Sequence, residues 1–263
     1  MLGETQQRRY LERIEVALME AKALACQYDS GTFRIRDNGG RDVVTEVDRQ
    51  LSHLLRKQLL APGEGWLSEE DADNDDRLTR ETVWVVDPLD GTREFVDGIP
   101  EWCISIGLVE SGVAVAGGTL NPATEQIFLG AVDCGVTLNG CPVQTTSCSA
   151  LGGALVLASR SEYKRGEWKQ FDSSPFVVQP LGSVAYKLSL VAAGLADATW
   201  TLSPKHEWDV AAGVALVNSA GGRVERPDGS TLEFNRRQNP LIPGLIASGK
   251  HLWPEIAQLL CRI

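Results

Sequence analysis

The sequence predicts an α/β (α+β) fold in which helices are layered on sheets. Apolar residues recur with helical spacing across residues 4–28. Short apolar runs bounded by turn residues, which are typical of strands, fill the middle of the chain. In the last third, predicted strands and helices alternate, as they do where helices cover a sheet.

Two helices precede the first predicted strand. The first spans residues 4–28, and the second spans residues 46–60, where Pro62-Gly63 ends it. Between them, residues 31–41 are rich in glycine and in charge, which indicates a turn or hairpin. This segment is predicted either to be a mobile flap beside a functional site or to be an ordinary surface loop.

The middle of the chain is predicted to be rich in strands. The predicted strands cover 66–68, 83–86, 102–109, 112–119, 125–130 and 135–138. Residues 140–152, rich in Cys, Thr, Ser and Gly, interrupt this pattern. We therefore predict a boundary between an amino-terminal α+β part, residues 1–150, which carries most of the candidate metal ligands, and a carboxy-terminal α/β part, residues 151–263.

The last third is predicted to alternate between the two kinds of element. Strands are predicted at 154–158, 176–179, 196–201 and 244–248, with a hairpin at 222–232. Helices are predicted at 162–171, 184–194, 208–219 and 252–262. This order implies helices packed against a sheet.

Composition limits the partners of the protein. The formal net charge of −10 over 263 residues argues against a nucleic-acid polymer, which needs a basic face. No apolar run approaches the roughly 20 residues that span a bilayer, and the amino end lacks an apolar signal core, so we expect a cytoplasmic protein without membrane contact. The six cysteines form no C-x-x-C pair and are accompanied by three histidines, so a zinc site is poorly supplied.

One short run carries two carboxylates at the end of a predicted strand. Asp87 follows the apolar residues 83–86, Pro88 is expected to stop the strand, and Asp90 lies three residues on across a tight turn. Such a turn can bring both carboxylates and the carbonyl of Leu89 to one point. Oxygen ligands of these kinds are the ones that Mg²⁺ prefers. The alternative is an ordinary turn in which aspartate serves as a cap.

The same run offers a seat for a phosphate. Gly91 has no side chain, so a phosphate could approach its backbone closely. Thr92 supplies a hydroxyl and could begin a helix, whose amino-terminal amides bind phosphate well.

Further acids lie before and after this run. Glu69 follows a strand-like segment, Asp48 lies near the start of the second predicted helix, and Asp209 lies in Glu207-Trp208-Asp209-Val210-Ala211-Ala212-Gly213. Each has an ordinary alternative: a solvated turn, a helix start, or a first-turn acid favoured by the helix dipole. Four acidic positions in this order are much less expected by chance than any one of them alone.

On these motifs the chain resembles the inositol-monophosphatase superfamily over nearly its whole length. The resemblance implies a layered αβαβα sandwich like that of fructose-1,6-bisphosphatase, a lithium-sensitive phosphatase with two or three Mg²⁺ per site, and a homodimer. The matching positions imply metal carboxylates at Glu69, Asp87, Asp90 and Asp209, a carbonyl ligand at Leu89, a water-orienting pair at Asp48 and Thr92 whose side chains are bonded to each other, and phosphate-binding amides at Gly91 and Thr92.

Other segments resemble the 3′(2′),5′-bisphosphate nucleotidases, the CysQ-like group, within this superfamily. These segments are Ser68-Glu69-Glu70-Asp71, Thr92-Arg93-Glu94-Phe95, Ala158-Ser159-Arg160-Ser161-Glu162 and Gly182-Ser183-Val184-Ala185-Tyr186-Lys187. They imply that substrate is bound by Ser159, Gly182, Ser183 and Lys187, with Lys205 as a contact for a second phosphate. For Lys187 the alternative is an exposed helix charge.

The chain also departs from both closest patterns. Glu162 stands where the nucleotidases often have His, and Thr201 where they commonly have Arg. Leu202 stands where inositol-specific enzymes have a Glu that grips a ring hydroxyl. We therefore predict conversion of adenosine 3′,5′-bisphosphate to AMP and phosphate, with hydrolysis of inositol-1-phosphate or histidinol phosphate as alternatives. A non-enzymatic protein that binds a phosphorylated ligand is the remaining alternative.

Overall fold

The computed structural model describes residues 4–28, 36–37, 43–44, 46–237, 241–242 and 244–261. The helices are α1 Glu4–Ala25, α2 Glu46–Leu59, α3 Thr92–Val96, α4 Arg160–Lys164, α5 Val184–Ala192, α6 Glu207–Ser219 and α7 Trp253–Leu260, with 3₁₀ turns at Asp75–Thr79 and Glu167–Phe171. The strands are β1 Arg36–Asp37, β2 Val43–Val44, β3 Gly65–Ser68, β4 Thr82–Asp90, β5 Cys103–Glu110, β6 Val113–Asn121, β7 Gln126–Ala131, β8 Gly135–Leu138, β9 Cys141–Val143, β10 Leu155–Ser159, β11 Val177–Leu181, β12 Ala198–Trp200, β13 Lys205–His206, β14 Gly222–Glu225, β15 Leu241–Ile242 and β16 Ile246–Gly249.

Two sheets form the frame of the molecule. The first contains β3 to β9 in chain order, with β3 parallel to β4 and each later pair antiparallel. The second has the order β11-β10-β12-β16-β14, in which β10 is parallel to both neighbours and β16 is antiparallel to both of its own. Two short antiparallel pairs, β1 with β2 and β13 with β15, lie outside these sheets.

Helices cover both sheets in three layers. Helices α1 and α2 bury Ile14 and Leu51 in one apolar cluster with Trp84 of β4. Helices α5 and α6 lie between the sheets, and their cluster joins Val85 of β4 to Ala247 of β16. Helix α7 and the 3₁₀ turn Glu167–Phe171 cover the outer face of the second sheet. The predicted layered αβαβα sandwich is therefore confirmed.

The burial of β4 explains why its sequence is continuously apolar. Trp84 and Val86 contribute to the cluster under α1 and α2, whereas Val83 and Val85 contribute to the cluster under α5 and α6. A strand covered on both faces has no polar face to alternate with. Asp87 directly follows this apolar run and is itself buried, at 1% exposed.

Helix α6 lies unusually close to the first sheet. A Cβ atom added to Gly117 of β6 would lie 2.5 Å from the carbonyl oxygen of Ala212, and one added to Gly213 would lie 2.4 Å from Cβ of Leu188 in α5. The small residues Ala211, Ala212 and Gly213 therefore permit the close approach. This packing fixes the position of the amino end of α6, which carries Asp209.

Several predicted boundaries were wrong. The predicted helix 162–171 is two short elements, because Gly166 adopts a left-handed conformation with φ of 79° between them. The predicted hairpin 222–232 contains β14 alone, which pairs with β16. The segment after it closes a turn in which the amide of Arg226 donates to Ser230.

The predicted boundary at residue 150 remains a prediction. Strand β9 lies within the segment 140–152 and completes the first sheet, and the second sheet begins at Leu155. Helices α5 and α6, however, belong to the carboxy-terminal part and pack against strands of both sheets.

The predicted flap lies almost wholly outside the described residues. Within 31–41, the structure describes residues 36–37 as strand β1, so a flap role for this segment stays a prediction. No helix of the described part of the chain is both long enough and apolar enough to cross a bilayer.

Candidate metal and phosphate site

A β-bulge at the end of β4 brings two carboxylates together. Asp87 pairs with Ser105 and Asp90 pairs with Cys103, so Pro88 and Leu89 together face the single residue between those partners. The prediction that Pro88 stops the strand was therefore wrong. The bulge accommodates a residue that has no amide hydrogen, and the strand continues to Asp90. Within the bulge, the amide of Leu89 donates to Oδ1 of Asp87 at 2.9 Å.

Asp209 completes a cluster of three carboxylates with Asp87 and Asp90. One oxygen atom from each lies within 4.8 Å of those from the other two. Asp209 is in the first turn of α6, and its Oδ2 accepts a hydrogen bond from the amide of His206 at 2.8 Å. His206 is the residue that caps the amino end of α6, so this bond holds the carboxylate of Asp209 at the start of the helix.

Asp90 is held from the opposite side by the start of α5. Its Oδ2 accepts hydrogen bonds from the Ser183 hydroxyl and from the amide of Ala185, both at 2.6 Å. Ser183 precedes α5 with a φ of 49°, a strained conformation for a residue with a side chain, and its Oγ also accepts from the amide of Tyr186. The predicted substrate residue Ser183 thus contacts a predicted metal ligand directly.

Glu69 lies beside this cluster. Strand β3 runs parallel to β4, and the amide of Glu69 donates to the carbonyl of Val86 at 3.4 Å. Burial raises the pKa of Glu69 from its usual 4.5 to about 9, and repulsion from Asp209, Glu70, Asp48 and Asp90 adds to this. Burial and repulsion from its neighbours likewise hold the pKa of Asp87 well above its usual value, and burial and Asp90 raise that of Asp209 to about 7.

These shifts have a common physical cause. Several carboxylates share a buried volume, so each resists ionisation beside the others. A cation placed among them would relieve the repulsion. The donor atoms are oxygens, which fit Mg²⁺ or Ca²⁺ better than zinc or copper.

The predicted water-orienting pair lies next to the acids. Asp48, in the first turn of α2, is 2% exposed and raises the pKa of both Glu69 and Glu70. The hydroxyl of Thr92 donates to the carbonyl of Leu89 at 3.1 Å. This carbonyl lies three residues earlier across the same tight turn, and the predicted bond from Thr92 to Asp48 stays a prediction.

Gly91 occupies a place that a side chain would not fit. Its φ of 96° is in the left-handed region, and a Cβ atom there would lie 3.0 Å from the carbonyl oxygen of Glu101. The residue directly precedes α3. Its conformation and the nearby carbonyl of Glu101 therefore both favour glycine, and the approach of a phosphate to its backbone stays a prediction.

A cleft of about 360 Å³ opens over the acids. Its wall includes Glu69, Asp90 and Asp209, whereas Asp87 and Leu89 are buried beneath it. The predicted phosphate- and substrate-binding residues line the same cleft; they are Gly91, Thr92, Ser159, Gly182, Ser183, Lys187 and Lys205. The structure thus brings together residues that are as much as 140 positions apart in the chain (69 to 209).

Lys187 is not an exposed helix charge. Its side chain is buried, and burial lowers its pKa from the usual 10.5 to about 8. The ammonium group donates to the carbonyls of Leu181 (3.2 Å), Gly182 (3.3 Å) and Ser183 (2.7 Å). Direct contact with a substrate would therefore require one of these bonds to open.

Sequence reasoning missed the arginines of the cleft. Arg93, Arg160 and Arg165 line it as well. Arg160 forms ion pairs with Glu101 and Glu94, and Glu101 also accepts from the amide of Gly182 at 2.8 Å. Arg160 directly follows Ser159 at the end of β10, and this position at a strand end was the signal that could have identified it.

Trp200 and Trp208 lie outside the wall of the cleft. Trp200 is fully buried and stacks on Trp168 at a centroid distance of 5.0 Å, and Trp208 stacks on His206 at 4.4 Å. Among the described residues, the wall of the cleft contains no aromatic side chain. Trp200 therefore packs in the core beneath α7.

Comparisons with known proteins show which sequences and folds this chain is similar to. A model of the inositol monophosphatase family matches residues 6–263. Inositol monophosphatase 3 of Solanum lycopersicum is 34% identical over 241 residues, covering 86% of this chain and 90% of that protein. The inositol-1-monophosphatase of Synechocystis sp. is 30% identical over 263 residues, covering 95% and 88% respectively. Among solved structures, the extragenic suppressor protein suhB of Bartonella henselae has the same fold, with a TM-score of 0.83, 24% identity, and coverage of 96% of this chain and 98% of that one.

Proposed function

We propose, from the premise that the chain belongs to the inositol monophosphatase family, that it uses Mg²⁺ to hydrolyse a small phosphomonoester bearing a second anionic group. Members of this family are metal-dependent phosphomonoesterases, and this chain is an enzyme of that class. The observation that carries the proposal is the cluster of Asp87, Asp90 and Asp209 within 4.8 Å at the floor of a cleft.

The metal would be held by oxygen atoms alone. Asp87, Asp90 and Asp209, with Glu69 and the carbonyl of Leu89, form a hard donor set that suits two or three Mg²⁺ ions. When bound, such ions lower the pKa of water and neutralise phosphate charge. The raised pKa values of the acids support this assignment, because a bound cation would stabilise their ionised forms.

The remaining groups would orient the reactants. Asp48 would accept a proton from the attacking water through the hydroxyl of Thr92, which would turn away from the Leu89 carbonyl to do so. The amides of Gly91 and Thr92 would hold the phosphate oxygens, with no side chain on Gly91 to obstruct them. The water would attack in line, so no phosphoenzyme is required.

The rim of the cleft favours a leaving group that carries a negative charge. Arg160, Arg165 and Lys205 line it. The family resemblance also implies that Leu202 replaces the Glu of inositol-specific enzymes. Adenosine 3′,5′-bisphosphate presents a second phosphate to such a rim. Since the wall described here has no aromatic side chain, selection would rest on this phosphate rather than on base stacking.

Inositol-1-phosphate is the second candidate. The observation in its favour is that the relatives named above are inositol monophosphatases, at 34% and 30% identity. Histidinol phosphate is less favoured, because its leaving group carries an ammonium that would meet Arg165 and Lys205.

A substrate panel tests the proposal. Phosphate release from adenosine 3′,5′-bisphosphate, inositol-1-phosphate and histidinol phosphate is measured with Mg²⁺ and with excess chelator, and the substrates are ranked by kcat/KM. We expect the bisphosphate to rank first and chelation to abolish turnover. A first rank for inositol-1-phosphate would establish the second candidate. No turnover of any of the three would instead favour a protein that binds a phosphorylated ligand.

Two further properties belong to this proposal. By family resemblance, Li⁺ should inhibit turnover, and the protein should be a homodimer in solution. Inhibition is measured by titrating Li⁺ at fixed Mg²⁺, and the mass in solution by light scattering. A mass near 28.5 kDa, that of one chain, would contradict the dimer.

A further inference from the structure

A second buried carboxylate, Glu162, lies outside the acidic cluster. Glu162 belongs to α4 and is fully buried. Its two carboxylate oxygens have four hydrogen-bonding partners. Oε1 accepts from the amides of Leu202 (3.3 Å) and Ser203 (3.1 Å) and faces Nζ of Lys205 at 3.5 Å. Oε2 accepts from the indole nitrogen of Trp168 at 3.2 Å. A buried carboxylate is tolerated when it is satisfied in this way.

These contacts join two parts of the cleft wall. Ser159, just before α4, and Arg160, its first residue, line the cleft, and so do Ser203 and Lys205 on the opposite segment. Glu162 lies behind this wall and bonds to the second segment, while its own amide donates to Oγ of Ser159 at 3.4 Å. One carboxylate therefore fixes both segments relative to each other.

The charge of Glu162 competes with the metal-binding acids for Lys205. The ammonium of Lys205 lies close enough to Asp90 and Asp209 to lower the pKa of both carboxyls. Its side chain is 16% exposed and forms an ion pair with Glu162. Without the charge of Glu162, the flexible lysine would be drawn toward Asp90 and Asp209.

We propose that Glu162 is a positioning residue that holds Lys205 in the leaving-group part of the cleft and thereby makes the enzyme selective for a second anionic group on the substrate. This inference rests on the proposed phosphatase function. Glu162 acts on the substrate through Lys205, whose ammonium it holds.

The substitution Glu162→Gln tests the role of the charge. Glutamine keeps the size and one oxygen for the amides of Leu202 and Ser203, but removes the ion pair with Lys205. We expect KM for adenosine 3′,5′-bisphosphate to rise about tenfold, while KM for p-nitrophenyl phosphate, which lacks a second anionic group, changes less than about twofold. Equal increases for both substrates would overturn the proposal.

A double-mutant cycle separates positioning from a general structural role. In a Lys205→Met background, Glu162→Gln should change KM for the bisphosphate less than about twofold, because the residue through which it acts is gone. Independent, additive effects of the two substitutions would refute the inference. If Glu162→Gln does not fold, the Lys205→Met variant is measured by itself. An unchanged ratio of the KM values for the two substrates would then refute the proposal.

Glu64 provides a matched control. Its carboxylate also accepts from an indole, Nε1 of Trp84 at 2.7 Å, and pairs with a cation, Arg13, but it lies at the start of β3, away from the cleft. Glu64→Gln should lower Tm without changing the ratio of the two KM values. A wild-type protein that releases no phosphate from any phosphomonoester would defeat the proposed function itself, which is a different result from equal KM increases in an active enzyme.

Discussion

At the residue scale, Asp90 is the group on which the site depends most. It contributes to the acidic cluster and also receives hydrogen bonds from Ser183 and Ala185 at the start of α5. Asp90→Asn removes one negative charge and replaces an acceptor with a donor opposite two existing donors. We expect Mg²⁺-dependent turnover to fall by at least about a hundredfold, as for loss of an electrostatic catalytic group. Near-wild-type activity of the purified variant would show that Asp90 is not a metal ligand.

Lys187 gives a second prediction at this scale. Its ammonium satisfies three backbone carbonyls in the turn before α5, so Lys187→Met would leave buried acceptors unpaired. We expect a loss of about 2–4 kcal/mol in the free energy of unfolding, measured by urea denaturation. Because the same turn carries Ser183, kcat should fall for every substrate in parallel. A stable variant that loses affinity for bisphosphates alone would instead make Lys187 a direct substrate contact.

At the element scale, the close packing of α6 on β6 sets the place of Asp209. Gly117→Ala would put a methyl group about 2.5 Å from the carbonyl of Ala212, so the helix must move. We expect a loss of about 1–3 kcal/mol in unfolding free energy and a higher Mg²⁺ concentration for half-maximal activity. Gly152→Ala is the control, since a Cβ atom there meets nothing within 4 Å. If Gly117→Ala changes stability but not Mg²⁺ dependence, α6 does not set the metal site through this contact.

The elements also show why part of the fold could be predicted and part could not. The helices α1, α2 and α6 and the strands β3 to β8 were predicted from their apolar patterns, whereas β9 was not, because its short segment is largely exposed. The bulge at Pro88 could not be read from the sequence, because proline is compatible both with a strand end and with an unpaired bulge position. The pairing of β14 with β16 depends on residues far apart in the chain, which local patterns do not encode.

The candidate site, like the fold, could be predicted from the sequence only in part. Predicted positions from Gly91 to Lys205 do line one cleft, because motifs at strand and helix ends carried a recognisable resemblance. Arg165 and the bonds of Glu162 were not foreseen, since they follow from the packing of α4 against the segment 202–205. Residues that act by position rather than by motif become visible when the layers are assembled.

At the scale of the whole molecule, the crowded acids link stability to pH and to metal. Glu69 and Asp209 have folded pKa values of about 9 and about 7, above their usual 4.5 and 3.8. The folded state without metal therefore binds more protons than the unfolded state between about pH 4 and pH 9, so its stability falls as pH rises through this window. Burial of the acids thus opposes folding at neutral and alkaline pH unless a cation compensates.

Saturating Mg²⁺ should reverse this loss. A ligand present at a hundred times its Kd stabilises the folded state by about 2.7 kcal/mol, which corresponds to roughly 5–10 °C in Tm for a chain of this size. We expect Tm in chelator to fall from pH 5 to pH 9, and the shift produced by Mg²⁺ to grow over the same range because protons no longer compete for the carboxylates. Calorimetry at fixed ionic strength measures both quantities. Asp209→Asn is the matched variant: it should flatten the pH dependence in chelator and reduce the Mg²⁺ shift, and a variant that retained both wild-type responses would contradict the link between this acidic cluster, metal binding and the stability of the fold.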